Sequence, residues 1–148
     1  MALWKNQPNT YKYSGFIDIP EGDHRVRICR VEVERFSNKK KCFEITLEVS
    51  GYRGKLWHHL WYDPNKIEKC AKSFYPFFHS FGIEDHDVSH YKNWVGTSGA
   101  VNVYYLYRDD AFEARYLQCL HGPRKDRLPM WRDAPTELNM DFLREIPF

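Results

Sequence analysis

Lys39, Lys40 and Lys41 stand in a row within "SNKKK", and Trp57, His59 and Trp61 alternate in "KLWHHLWY" just downstream of Tyr52, Arg53 and Lys55. Clustered cationic side chains attract phosphates and release the counterions condensed around them. Flat rings stack on bases that no complementary strand covers, at about 1–3 kcal/mol per base and with little regard for base identity. Together the two residue types meet the needs of an unpaired nucleic-acid strand. The plainer alternative is a solvated lysine turn beside tryptophans buried in a core, which any one of these residues would satisfy. Because cations and rings cluster on adjacent segments, the set favours binding. Arg25, Arg27, Tyr104, Arg108, Arg115 and Tyr116 form a second tier of candidates on neighbouring segments.

Other chemistries find less support. His79, His86 and His90 could be drawn with Cys70, Asp85 and Asp87 as a metal site. The i, i+4 spacing of His86 and His90 converges only on a helix, and "EDHDVSHYKN" lacks a helical apolar stripe. Solvated loop histidines are the better reading, and no metal or other cofactor is expected. The four cysteines, Cys29, Cys42, Cys70 and Cys119, form no Cys-x-x-Cys pair, which argues against a zinc ribbon or a thioredoxin-type motif. Signatures of a Ser nucleophile elbow, a phosphate loop or a zinc protease are missing. "VGTSG" at 95–99 lacks the lysine of a phosphate loop and reads as a turn. An enzyme is not expected.

A chain of 148 residues suits one domain with tails. Its net charge of +2 is unevenly spread: residues 129–148 carry −2 and residues 1–128 carry +4. A basic body with an acidic tail fits a polyanionic partner. Aromatics reach 17% with ten Tyr, a content that serves a β-rich core and a binding surface equally well. The opening "MALWKNQPNT" has no apolar signal-peptide core, and no run of about 18 apolar residues occurs. Reduced thiols, a cytoplasmic location and no membrane partner are the corresponding expectations.

These candidates need elements to hold them. "HRVRICRVEVERF" alternates with period two, but Val26 and Ile28 share one parity and Val31 and Val33 the other. The slip near Cys29–Arg30 predicts a β-bulge that bends a long strand. "CFEITLEVS" alternates cleanly, with Phe43, Ile45, Leu47 and Val49 inward. In the third strand Leu56 and Leu60 are the core face, which turns Trp57 and Trp61 outward. From Asp63 and Pro64 the period becomes helical, with Ile67 and Phe74 as core contacts, a stop or kink at Pro76 and closure at Gly82. A fourth strand near 100–108 and a fifth, "FEARYLQCL", follow.

The order β-β-β-α-β-β is that of a five-stranded OB-fold barrel, mostly β, with one helix between strands 3 and 4. An arm at 1–19, the barrel at 20–120 and a Pro-rich linker and tip at 121–148, standing apart from the core, complete the organisation. OB-folds bind strands across the face of strands 2 and 3, where the lysines and tryptophans fall. Tyr-rich strands 4 and 5 could pair between subunits of a homo-oligomer.

The final "MDFLREIPF" resembles the C-terminal tip of bacterial single-stranded DNA-binding proteins. The resemblance implies that Asp141, Phe142, Ile146, Pro147 and Phe148 recruit replication or repair proteins, an apolar hook and carboxylate entering a basic-rimmed pocket. Leu143, Arg144 and Glu145 replace the family's run of aspartates, which weakens steering towards a basic partner. Docking of the tip on its own barrel is the alternative. The body, about 16–120, resembles phage-encoded domains, some single-stranded DNA-binding and others without assigned function, through "IPEGDHRVRICRVEVERFSNKKKCFEITLEVSGYRGKLWHHLW" and "WVGTSGAVNVYYLYRDDAFEARY". Both resemblances imply a non-enzymatic protein that coats transient single-stranded DNA in phage replication or recombination. The competing expectation is an OB-fold protein-interaction module or inhibitor that binds no nucleic acid. A small nuclease would need a carboxylate cluster that the sequence does not offer.

Overall fold

The computed structural model describes residues 19–134. Five antiparallel strands, β1 (Gly22–Arg35), β2 (Lys41–Val49), β3 (Tyr52–Tyr62), β4 (Ser98–Arg108) and β5 (Ala111–Leu120), form one sheet in the order β3-β2-β1-β4-β5. Helix α1 (Ile67–Phe81) lies between β3 and β4 in the chain, and a single turn of helix, α2 (Pro123–Asp126), follows β5. The expected arm at 1–19 lies outside the described residues except for Ile19, which is buried.

Strand β1 organises the rest. Its ladder with β2 shifts between Ile28 and Arg30, at the parity slip. Before the bulge Val26 and Ile28 are buried, and after it Val31 and Val33 pack at the margin of the core. The bend lets the two ends of β1 serve different neighbours: Gly22–Arg27 pair with β4 and Val26–Arg35 with β2, with Val26 and Arg27 in both ladders. On one face of the sheet Phe43, Ile45, Leu47 and Val49 of β2 and Leu56 and Leu60 of β3 are buried, as their alternation requires. Each such side chain contributes about 1.5–3 kcal/mol when fully buried.

Helix α1 covers that face. It begins at Ile67 rather than at Pro64, because Asp63 closes a separate turn. The Asp63 carbonyl accepts from the Lys66 N–H at 2.9 Å, and its carboxylate accepts from the Asn65 N–H at 2.9 Å. The helix also runs through Pro76. Phe77, Phe78 and Phe81 lie beyond the proline and are buried with Phe74 and Trp94, and that burial offsets the backbone bond Pro76 cannot make. Ile67 is half exposed, so the four phenylalanines, not Ile67, fill the open side of the sheet. Gly82, at φ 65, closes the helix in the left-handed region. A Cβ at Gly99 would sit 2.8 Å from the Phe81 ring, so glycine is what lets α1 approach β4.

The sheet is open. Its edges, β3 and β5, approach where the Cys119 thiol lies 3.8 Å from His58 Nε2. Among the described residues no ladder joins them. The closed barrel of the sequence reading is therefore present in strand number, order and helix placement but not in closure. The phenylalanines of α1 fill the gap where a β3–β5 ladder would run.

Residues 121–134 lie against the sheet, although their prolines suggested a detached linker. Arg124 pairs with Asp23 at 2.7 Å, and this bond, with a smaller one from Asn102, holds the Asp23 carboxyl below its usual range. Arg25 donates to the carbonyls of Pro129 (2.8 Å) and Leu128 (3.0 Å). At the β2–β3 turn the Gly51 N–H donates to the Arg132 carbonyl at 2.8 Å, and the Arg132 N–H donates to the Ser50 hydroxyl at 2.9 Å. No helix among the described residues is long and apolar enough to cross a membrane.

Candidate nucleic-acid interface

Because Leu56 and Leu60 face the core, Arg53, Lys55, Trp57, His59 and Trp61 line the opposite face of β3. Trp57 is 48% exposed and Trp61 55% exposed. Four residues of extended strand set them about 13 Å apart. Tyr52 has the other orientation: it packs at the core margin, edge-on to His24 at 5.5 Å.

Trp61 has company that the sequence reading missed. Phe36, exposed at the end of β1, sets its ring 5.4 Å from that of Trp61. Beside them Lys40, Trp61, Tyr62, Lys66 and Lys69 line a hollow of about 390 Å³. Lys40 reaches Asp63 only at 3.9 Å. Lys66 and Lys69 come from the start of α1, so three lysines from two separate segments meet at one aromatic pair. Lys39 sits at the tip of the β1–β2 turn with φ 63, and Lys41 opens β2 opposite Tyr62. Among the described residues Lys39, Lys41, Arg53 and Lys55 hold no ion pair.

Acidic residues on β2 border the row, but they are engaged. Glu44 lies 3.1 Å from His59 Nε2, and Glu48 accepts from Arg27 at 3.1 Å. Arg27 also stacks under Trp131, 4.2 Å from the ring centroid. Trp131 thus walls a second hollow of about 230 Å³ with Arg27, Arg53 and Lys55. Arg25 and Arg27 are taken up by the C-terminal segment, so the structure does not present them to a ligand as it does the β3 row.

The remaining candidates lie elsewhere. Tyr104 and Tyr116 pair across β4 and β5 with rings stacked at 5.3 Å. Arg108 is held by Glu113 at 2.9 Å. Asp109 and Asp110, at φ 55 and 64, make the turn beside them. The partner-binding candidates Asp141, Phe142, Ile146, Pro147 and Phe148 lie outside the described residues.

The histidines go to separate partners. His86 stacks on Phe78 at 4.5 Å, His79 lies 5.9 Å from His121, and His90 bonds Asp85 at 2.7 Å. That bond raises the His90 pKa and lowers that of Asp85. Among the described residues no three His, Cys, Asp or Glu side chains gather as a metal would require. Burial, aided by the charge of His59, pushes His58 from 6.5 down to about 4. Burial pushes the neighbouring Cys119 thiol up to about 12, so this pair is neutral and the thiol is not a ready nucleophile.

No protein-family model and no curated protein matches the chain.

Proposed function

We propose that this protein binds single-stranded DNA without catalysing a reaction, along the outward face of β3. The observation that carries the reading is the row Arg53, Lys55, Trp57, His59 and Trp61, which ends at Phe36 with Lys40, Lys66 and Lys69. Rings set among cations, of which Arg53, Lys55, Lys66 and Lys69 hold no ion pair among the described residues, suit bases that are uncovered and phosphates that are not neutralised. Lys39 and Lys41 extend the cationic margin. A duplex hides its base faces and fits such a row poorly.

In this reading the fold is of the OB type, in its partly open form. Support comes from the bent β1 shared between β2 and β4 and from the helix set between the third and fourth strands. The protein coats transient strands in phage replication or recombination, and the tip at 141–148 recruits replication or repair proteins. Sequence preference is slight and salt sensitivity steep.

The test is a titration of the protein with oligo-dT at low salt, read by tryptophan fluorescence and by mobility shift against duplex of the same length. Quenching with oligo-dT and weak retention of duplex is the expected result. A flat titration at low salt removes the proposal.

A further inference from the structure

Trp131 is a large ring that the core does not use. It lies outside the buried cluster beneath the sheet and is only half-buried. Yet its position is fixed. Arg25 donates to the carbonyls of Leu128 and Pro129 ahead of it, and Ser50 and Gly51 hold the backbone of Arg132 just after it. The Arg27 guanidinium lies 4.2 Å from its ring centroid, and the indole N–H donates to Asp133 at 3.1 Å. Burial does not account for so many restraints on one indole. A ring fixed before its ligand arrives loses little freedom on binding.

The ring borders the hollow of about 230 Å³ at the Arg53 end of the β3 row, the end away from Trp61 and Phe36. Pockets for drug-sized ligands begin at about 300 Å³, so this one suits a single flat group. Its charged walls are Arg27, Arg53 and Lys55 against Glu48 and Asp133. Glu48 is engaged by Arg27 and Asp133 by the indole itself. Arg53 and Lys55 hold no ion pair among the described residues. We infer that this hollow is a base-binding subsite, in which Trp131 is a stacking platform for one unpaired base and Arg53 and Lys55 take the flanking phosphates. Arg27 is a positioning residue that holds the indole. The inference rests on the single-stranded DNA reading and deepens it: the bound strand runs the whole row, from Phe36 and Trp61 to Trp131. Arg53 and Trp61 are eight residues apart on β3, roughly 26 Å of extended chain. With a phosphate every 3.4 Å or so of a stacked strand, the row holds at most about eight nucleotides.

The test titrates the full chain at low salt with oligo-dT and with an all-abasic strand of the same length, which keeps the phosphates and lacks the bases. Trp131→Ala should weaken oligo-dT binding by roughly five- to hundredfold and bind the abasic strand as wild type does. That unchanged binding also shows that the variant is folded. Trp131→Phe restores a ring and should recover most of the loss. If wild type binds oligo-dT and Trp131→Ala binds it equally well, the subsite is wrong and the β3 reading stands. If the variant loses oligo-dT and the abasic strand alike, Trp131 serves only to hold the C-terminal segment in place, and the subsite is again wrong. If wild type binds no oligo-dT, the β3 reading falls and the subsite falls with it.

Discussion

Two regions of this molecule expose aromatic rings, and they differ in everything around the rings. On β3, Trp57 and Trp61 stand among lysines and arginines contributed by the strand, by the β1–β2 turn and by α1. On the β4–β5 ribbon, Tyr104, Tyr107, Phe112 and Tyr116 stand beside a self-satisfied Arg108–Glu113 pair and two aspartates. An exposed ring is apolar area seeking cover in both places. The charge beside it and the state of the adjacent backbone decide what covers it. Cations beside the rings favour a polyanion, whereas the ribbon's own Arg108–Glu113 pair and two aspartates leave little to attract one. The comparison fails if one class of ligand answers to both regions.

The largest effect should come from removing the β3 rings. Trp57→Ala with Trp61→Ala removes two stacking platforms and should weaken oligo-dT binding by about 2–6 kcal/mol. Both side chains are half exposed, so the thermal midpoint should move little. Binding isotherms that stay within experimental error of wild type would move the site off β3.

Next comes the seam between the regions, where His58 of β3 meets Cys119 of β5. Above pH 6.5 the imidazole is neutral whether the chain is folded or not. Between 6.5 and about 4 the unfolded chain takes up a proton that the folded one refuses. Stability therefore falls across that window, by up to about 3 kcal/mol from this group, and no further below it. His90, whose pKa is raised, acts in the opposite sense. The measurement is thus urea unfolding of wild type against His58→Leu between pH 4 and 7. The variant should flatten the slope. Parallel curves would mean that His58 carries its proton in the folded state.

A smaller change is expected from the lysines at the end of the β3 row. Replacing Lys40, Lys66 and Lys69 by Gln should lower the slope of log K against log salt by about 2, since each phosphate contact contributes about 0.7. An unchanged slope with lowered affinity would assign these residues to packing rather than to phosphates.

Much of this arrangement was legible in the sequence because period-two patterns fix both faces of a strand at once. Leu56 and Leu60, being core, sent Trp57 and Trp61 outward, and the parity slip at Cys29–Arg30 marked the bulge. What escaped depended on contacts between distant segments. Phe36 ends its strand with no alternation to place it, and Lys66 and Lys69 reach the site only because Asp63 turns the chain back. The phenylalanines past Pro76 were hidden by a local rule that tertiary burial overrides. Trp131 lies in a Pro-rich stretch with no periodicity, and only the fold brings it onto Arg27. Whether β3 and β5 would pair was likewise not written in either strand alone.

The finest cut between the two regions is Phe112→Ser. Phe112 is half exposed on the ribbon and touches the rings of Tyr105 and Tyr107. Its cross-strand pair with Tyr107 contributes about 0.2–1 kcal/mol, so the urea-unfolding midpoint should fall only slightly. Oligo-dT affinity should hold, because serine at this site removes neither a cation nor a ring of the β3 row. Should the same substitution cost DNA binding, the ribbon would be a second nucleic-acid platform. The charge argument that separates it from β3 would then be wrong.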